Sequence, residues 1–203
     1  MNYKLEELVE HITVGQIMSR VSYKDDEERE GYEEAVHVLV PSAISGGVIH
    51  HENLGVAVLK KEVSQDRITR NGDIVIKLSS PYDSALITEN DEKLVVPSFC
   101  ALIRGINAER IDVRYLVGYL NSPYTVAKLI AGINSTAMAM IRGKSLMELK
   151  IEFPDIYQQR VAGRAYWSSC RKKALLERMV AQQQVVSENI ILETLKEVKK
   201  NER

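Results

Sequence analysis

DIYQQRVAGRAYWSSCRKKALLERMVAQQQVVSENIILETLKEVK, residues 155–199, contains no proline and, after Gly163, no glycine. Phe153-Pro154 closes an extended segment ahead of it, Asp155 is placed to cap a helix, and Gln158 stands three residues on, as a capping box requires. The spacing predicts one helix from Asp155 to about Lys199, which at 1.5 Å per residue extends roughly 65 Å. A rod of that length cannot fold back into the core of a 203-residue chain. Its far half must find its own surface.

From Ala174 to Val198 the apolar residues are too many for one narrow seam. The best seam, Leu175, Met179, Gln182, Val186 and Asn189 or Ile190, admits polar positions and drifts from strict heptads. A long parallel zipper is therefore disfavoured. The pattern suggests a broad apolar face shared by more than one partner, or two helices pairing as a short antiparallel coiled coil. Leu175, Met179, Val186 and Ile190 are the candidate dimerisation residues.

Composition adds exclusions. Hydrophobic residues make up 45% of the chain, enough to bury a core, and the formal net charge is −1. Residues 156–203 carry ten Lys and Arg against five Asp and Glu, whereas residues 1–155 carry 17 against 23. The deficit is local, because DDEEREGYEE (25–34) holds seven of those acids and reads as an exposed loop. Charge alone does not name a nucleic-acid binder. Cys100 and Cys170 match neither a metal spacing nor a disulfide framework, which points to a reducing cytoplasm. Neither a signal peptide nor an apolar run of spanning length is visible, so no membrane partner is expected.

Ahead of the helix, residues 1–154 read as one mainly β domain of α+β class, leaving 155–203 as a dimerisation and spacer helix. A short helix or turn at 3–10 leads into a strand. Further extended segments follow at 35–41, at 48–62 beyond the Gly46-Gly47 turn, at 72–78 and at 94–105, with a polar loop over 79–93. From Asp112 the period changes to that of helices: DVRYLVGYLNS, then YTVAKLIAGI opened by Ser122-Pro123 and ended by Gly132. A turn capped by Ser145 and a strand ending at Phe153 complete the domain.

The pieces GDIVIKL (72–78), the strand ending in Arg104-Gly105, YLVGYLNSP (115–123), NSTAMAMIRGKSLMELKIEFP (134–154) and YQQRVAG (157–163) resemble, in order and spacing, the DNA-specificity subunits of type I restriction-modification systems. The resemblance runs from about residue 37 to the end. Family subunits carry two target-recognition domains, each followed by a long helix, and this chain has one of each. It implies a half-length subunit that homodimerises to read a bipartite palindromic site, or else a fragment or decayed copy. It also implies double-stranded DNA, a separate adenine methyltransferase subunit that holds the S-adenosylmethionine, and an ATP-dependent restriction subunit as partners. This chain would carry no cofactor and no metal.

DNA reading needs cations for phosphates and hydroxyl, amide or guanidinium groups for base edges. Lys77, Ser79, Ser80, Tyr82, Arg104, Ser135, Thr136, Arg142 and Lys144 are the candidates, with Arg67 beside them, and with Lys60, Lys61 and Arg70 more readily explained as solvated charge. They concentrate in KLSSPYD (77–83) and in 135–144, where Gly143 would let backbone approach a phosphate. Two rival readings remain. Asn121-Ser122-Pro123-Tyr124 approximates the Asn-Pro-Pro-Tyr motif of amino-methyltransferases, but no glycine-rich turn is placed to hold their cofactor, and a serine cap with proline at the first helical position explains the same residues. No catalysis is expected of this chain. The other rival is a non-catalytic protein–protein interaction module with an oligomerising helix, favoured by the acidic run and near-neutral charge.

Overall fold

The computed structural model describes residues 2–24, 31, 33–131 and 140–201, with backbone alone for Asn2 and for 197–201. Most of the acidic run and residues 132–139 lie outside this set. In chain order the elements are β1 (Asn2–Lys4), β2 (His11–Val14), β3 (Glu34–Val38), β4 (Ile44–Ser45), β5 (Val48–Ile49), β6 (Gly55–Leu59), β7 (Ile74–Lys77), β8 (Ser84–Leu86), β9 (Cys100–Arg104), α1 (Val113–Leu120), α2 (Pro123–Ile130), α3 (Gly143–Met147), β10 (Lys150–Glu152) and α4 (Ile156–Asn201). The fold is α+β, with a long C-terminal helix, as the sequence leads one to expect.

An antiparallel sheet of order β2-β9-β7-β8 forms the centre. Side chains alternate across its pleat. Ile74, Ile76, Ala101 and Ile103 face a core shared with Leu116, Val117 and Leu120 of α1, Leu129 of α2 and Leu146 of α3. Val75, Cys100 and Leu102 face the other way, against Leu39, Ile44, Ile87 and Val96. Burial on both faces is why β7 and β9 read as unbroken apolar runs. The antiparallel pair β3 and β6 covers a third cluster around Val38, Leu59 and Val95.

Several local expectations are revised. β8 lies inside the stretch read as a polar loop, since Ser84-Ala85-Leu86 has no alternating pattern and is buried only by distant segments, β7 that pairs with it and Asn121 that bonds Ser84. The strand expected over 94–105 is regular only from Cys100. Val95 and Pro97 make isolated bridges instead, and proline cannot donate to a ladder. α3 starts at Gly143 with Arg142 at the cap position, so Ser145 sits within the helix and does not cap it.

The other helix starts are as the residues demand. Asp112 accepts hydrogen bonds from the amides of Arg114 and Tyr115 at 3.0 and 3.2 Å, and Ser122 accepts from the amide of Thr125 at 3.2 Å. Asp155 accepts from the amides of Tyr157 and Gln158, both at 3.0 Å. The amide side chain that ties this end of α4 to the domain belongs to Gln159. It donates to the carbonyls of Pro154 and Arg110 at 2.9 and 3.2 Å, and accepts from the backbone of Asp112 at 3.1 Å.

One side of α4 then docks. Gln159 is buried, Gly163 meets the start of α1, Tyr166 and Trp167 pack on the main core, and Cys170 lies beside Gly47. Beyond Cys170 every described residue of the helix is exposed except Ala174, which is half-buried. At 46 residues it is about 69 Å long. The first third is therefore part of the domain and the remainder projects.

Gly163→Ala tests the docking. Helix propensity alone favours alanine by about 1 kcal/mol. The new β-carbon would stand 2.6 Å from the Tyr115 nitrogen and 2.7 Å from Asp112 Oδ1, neither of which can turn aside. A net destabilisation of about 1–3 kcal/mol is expected in urea unfolding. A stabilised variant would show that α1 and α4 can separate without cost.

Candidate nucleic-acid interface

The two stretches singled out in the sequence meet in space. Where β7 ends, the Leu78 carbonyl accepts a hydrogen bond from the Ile141 amide at 2.7 Å, which brings the Arg142-Gly143-Lys144 start of α3 beside the 79–83 turn. On this rim Ser80, Arg142 and Lys144 are exposed, the Lys144 side chain by 82% with Glu148 3.8 Å away. Gly143 is half-buried over Val14 at the end of β2. Ser135 and Thr136 lie outside the described residues.

Other candidates face inward. Lys77 is only 5% exposed, and its ammonium sits 2.8 Å from Asp83 and 3.4 Å from the Pro41 carbonyl. Its charge is neutralised inside the turn. Tyr82 is buried with φ of 62°, and its amide donates to the carbonyl of half-buried Ser79 at 2.9 Å, closing the same turn. Arg104 forms a two-pronged pair with Asp73 at 2.9 and 2.7 Å, and donates to the carbonyls of Ile68 and Gln65. The Asp73 carboxylate raises the guanidinium pKa further, against the effect of burial. These three side chains shape the surface; the geometry here does not offer them to a phosphate.

The remaining cations divide likewise. Arg67 donates to Gln16 at 2.6 Å, and Lys60 stands over the Tyr23 ring at 5.9 Å. Lys61 and Arg70 are exposed. Charge reaching solvent on the rim thus comes from Arg142 and Lys144, while the four candidate dimerisation residues, Leu175, Met179, Val186 and Ile190, are 51–64% exposed on the projecting helix.

Asn121 of the Asn-Ser-Pro-Tyr segment is a structural tie. Its carbonyl oxygen accepts from the Ser84 amide at 2.7 Å and hydroxyl at 3.0 Å, and its amide donates to the Ser84 carbonyl at 2.9 Å and the Tyr166 oxygen at 2.8 Å. One side chain joins β8, the α1–α2 turn and α4. It has no remaining capacity to grip a base. Burial pushes the Tyr166 hydroxyl up to about 12, so it stays protonated. Burial likewise pushes the Cys100 thiol up to about 12. Sequence reading missed these tying residues, although Gly118 and Gly163 were a signal: both sit where another element comes too close for a β-carbon.

A cleft of about 520 Å³ opens between α4 and the domain, lined by His51, Glu89 and Asp91 on one side and by Trp167, Arg171 and Arg178 on the other. His51 is 2.7 Å from Asp91, which also accepts from the Thr88 amide and hydroxyl. Among the described residues no helix is long and apolar enough to cross a membrane.

No family model matches the chain, and no curated protein does. Solved structures do. The crystal structure of the HsdS subunit from Thermoanaerobacter tengcongensis superposes on 94% of this chain with a TM-score of 0.61 at 16% identity. This is the fold of HsdS. A chain from a structural study of complex assembly and conformational transition of the type I R-M system superposes on 98% with the same TM-score at 17% identity. The chain spans about half the length of these matches, 46% and 49%. The match takes in both the domain and the helix that follows it, since it covers 94% and 98% of this chain.

Asp73→Ala tests the inward assignment of Arg104. Removing one member of a buried ion pair strands the other, and a loss of about 3 kcal/mol is expected in chemical unfolding, partly recovered by Asp73→Ala with Arg104→Met. A loss under about 0.5 kcal/mol would return Arg104 to the solvent-facing candidates.

Proposed function

We propose that this chain is a half-length DNA-specificity subunit of a type I restriction-modification system. Two copies pair through α4 and present two recognition domains to a split palindromic site. The observation that carries this reading is the run of branched side chains left in water beyond Cys170, on a fold shared with HsdS chains of twice the length. A domain-plus-helix unit that must be doubled, and a helix face that needs covering, are met by one step.

In this reading the chain performs no chemistry. It acts in the cytoplasm, positions a separate adenine methyltransferase that holds the S-adenosylmethionine, and in a restriction complex also engages an ATP-dependent subunit. Extrusion of the target adenine takes place in the methyltransferase. Phosphate neutralisation on the recognition rim falls to Arg142 and Lys144, with Ser79, Ser80 and the 135–136 hydroxyls as partners. Lys77, Tyr82 and Arg104 act on DNA only through the surface they support.

The rival reading, a protein–protein interaction module, draws support from the inward pairing of Lys77 and Arg104, which leaves few cations on the rim. Binding to random duplex DNA at several salt concentrations, with the methyltransferase subunit present, separates the two. Specificity-subunit function predicts binding that weakens steeply with salt, and a shallower salt slope for Arg142→Ala with Lys144→Ala. No binding at low salt would favour the rival. For the assembly, light scattering at micromolar concentration is expected to give a dimer mass. Charged replacements of Leu175, Met179 and Val186 together should convert it to monomer, while the domain unfolds at an unchanged midpoint.

A further inference from the structure

Outside α4, six large apolar side chains are exposed among the described residues: Val14, Ile17, Val56, Tyr124, Ile130 and Met140. Three of these, Val14, Ile17 and Met140, lie on the segments that make the rim. Met140 precedes Ile141, whose amide is bonded to Leu78, and residues 15–17 run beside the start of β9, where the Gly15 amide donates to the Cys100 carbonyl at 3.0 Å and the Gln16 amide to that of Val96 at 2.7 Å. Cys100 in turn pairs with Lys77, where β7 enters the 79–83 turn. An apolar patch therefore adjoins the exposed Arg142 and Lys144.

Val14 shows why the patch is bare. β2 is an edge strand, and Val14 stands across from Ala101, itself across from Ile76. Ala101 and Ile76 are fully buried in the main core together with Leu146 of α3. Val14 faces the same way and is still 40% exposed, because the residue set over it is Gly143. A β-carbon at 143 would lie 3.5 Å from Val14 Cγ2, an ordinary contact, and nothing else stands within 4 Å. The backbone there is not left-handed, and glycine is among the poorest helix formers, yet it opens α3. Neither space nor backbone asks for glycine. A position that departs from local preference without a packing reason marks a functional surface.

Whatever covers the patch must suit its flanks, and Arg142 with Lys144 favours a polyanion. In duplex DNA the phosphates answer the two cations, and of the four bases thymine alone shows an apolar group, its C5 methyl, on the major-groove edge. We propose that Val14, left bare by Gly143, and Met140, on the same rim, read thymine through that methyl while Arg142 and Lys144 hold the flanking phosphates. This rests on the DNA recognition of the proposed function and adds the base feature that is read. A longer side chain at 143 would close the contact by covering Val14.

The test is a selection from random duplex DNA with the methyltransferase subunit present, followed by affinity measurements on an enriched site with each thymine replaced in turn by uracil. Uracil lacks the methyl and keeps every hydrogen-bonding group. The wild type is expected to enrich a thymine-containing site and to lose about fourfold in affinity on replacement of the thymine that is read, the value of one buried methyl. Val14→Ser with Met140→Gln is expected to bind thymine and uracil sites alike, as is Gly143→Leu. Val56→Ser, at an exposed apolar position of β6 off the rim, should keep the discrimination. An unchanged urea midpoint checks that each variant is folded. Equal affinity of the wild type for both sites, an enriched site without thymine, or discrimination that survives in the double variant overturns the proposal and leaves DNA recognition standing. Loss of methyltransferase binding by the double variant in the absence of DNA would assign the patch to that subunit and also overturns it. If no duplex is bound even at low salt, the proposal and the DNA reading fall together.

Discussion

Where α4 crosses α1, the space a β-carbon on residue 163 would need is held by the Tyr115 amide and the Asp112 carboxylate. That approach fixes the direction in which the rest of the helix leaves the domain. Gly118 makes the reciprocal concession on α1, where a β-carbon would stand 3.0 Å from the Tyr166 ring. Gln159 locks the base of the crossing by bonding Arg110, Asp112 and Pro154 together, and Asn121 locks it further up by bonding Ser84 to Tyr166. A projecting helix keeps a fixed direction only if its root cannot swivel. Here the root is held by buried hydrogen bonds whose loss would leave polar groups unsatisfied.

The same economy governs the charges. A domain built around short strands and many turns must hold those turns by side chains, and it uses Lys77 with Asp83 and Arg104 with Asp73 for that purpose. The pairs are enclosed, where one partner without the other is costly. Cations available to an outside anion are then those on the α3 rim, brought to the 79–83 turn by a single backbone hydrogen bond from Ile141 to Leu78. The exposed rim and the turn scaffold are adjacent and distinct.

Residues that looked equivalent in one dimension differ in role because burial sorts them. Lys77 and Lys144 have the same chemistry; the first lies at the end of a strand enclosed on both faces, the second on the outer side of a one-turn helix. From the sequence Ser84 reads as part of a polar loop and Ser145 as the cap of a turn. Pairing with β7 buries one, and α3, which begins two residues before it, exposes the other. No local pattern distinguishes them, since the deciding contacts come from far along the chain.

What the sequence determined by itself is the long helix with its Asp155 cap, the helix starts at Asp112 and Ser122, the β-branched runs of β7 and β9, and the order of segments resembling a specificity subunit. All of these rest on short-range chemistry: caps, prolines, glycines and periodicity act within a turn or two of the chain. Only the tertiary structure decided that β8 is a strand, that the first third of α4 is part of the domain, that Lys77 and Arg104 face inward, and that Ile141 bonds to Leu78 at the end of β7. Each of those depends on which distant segment arrives alongside, and on whether the space left there admits a side chain, a water-facing charge or nothing larger than a hydrogen atom.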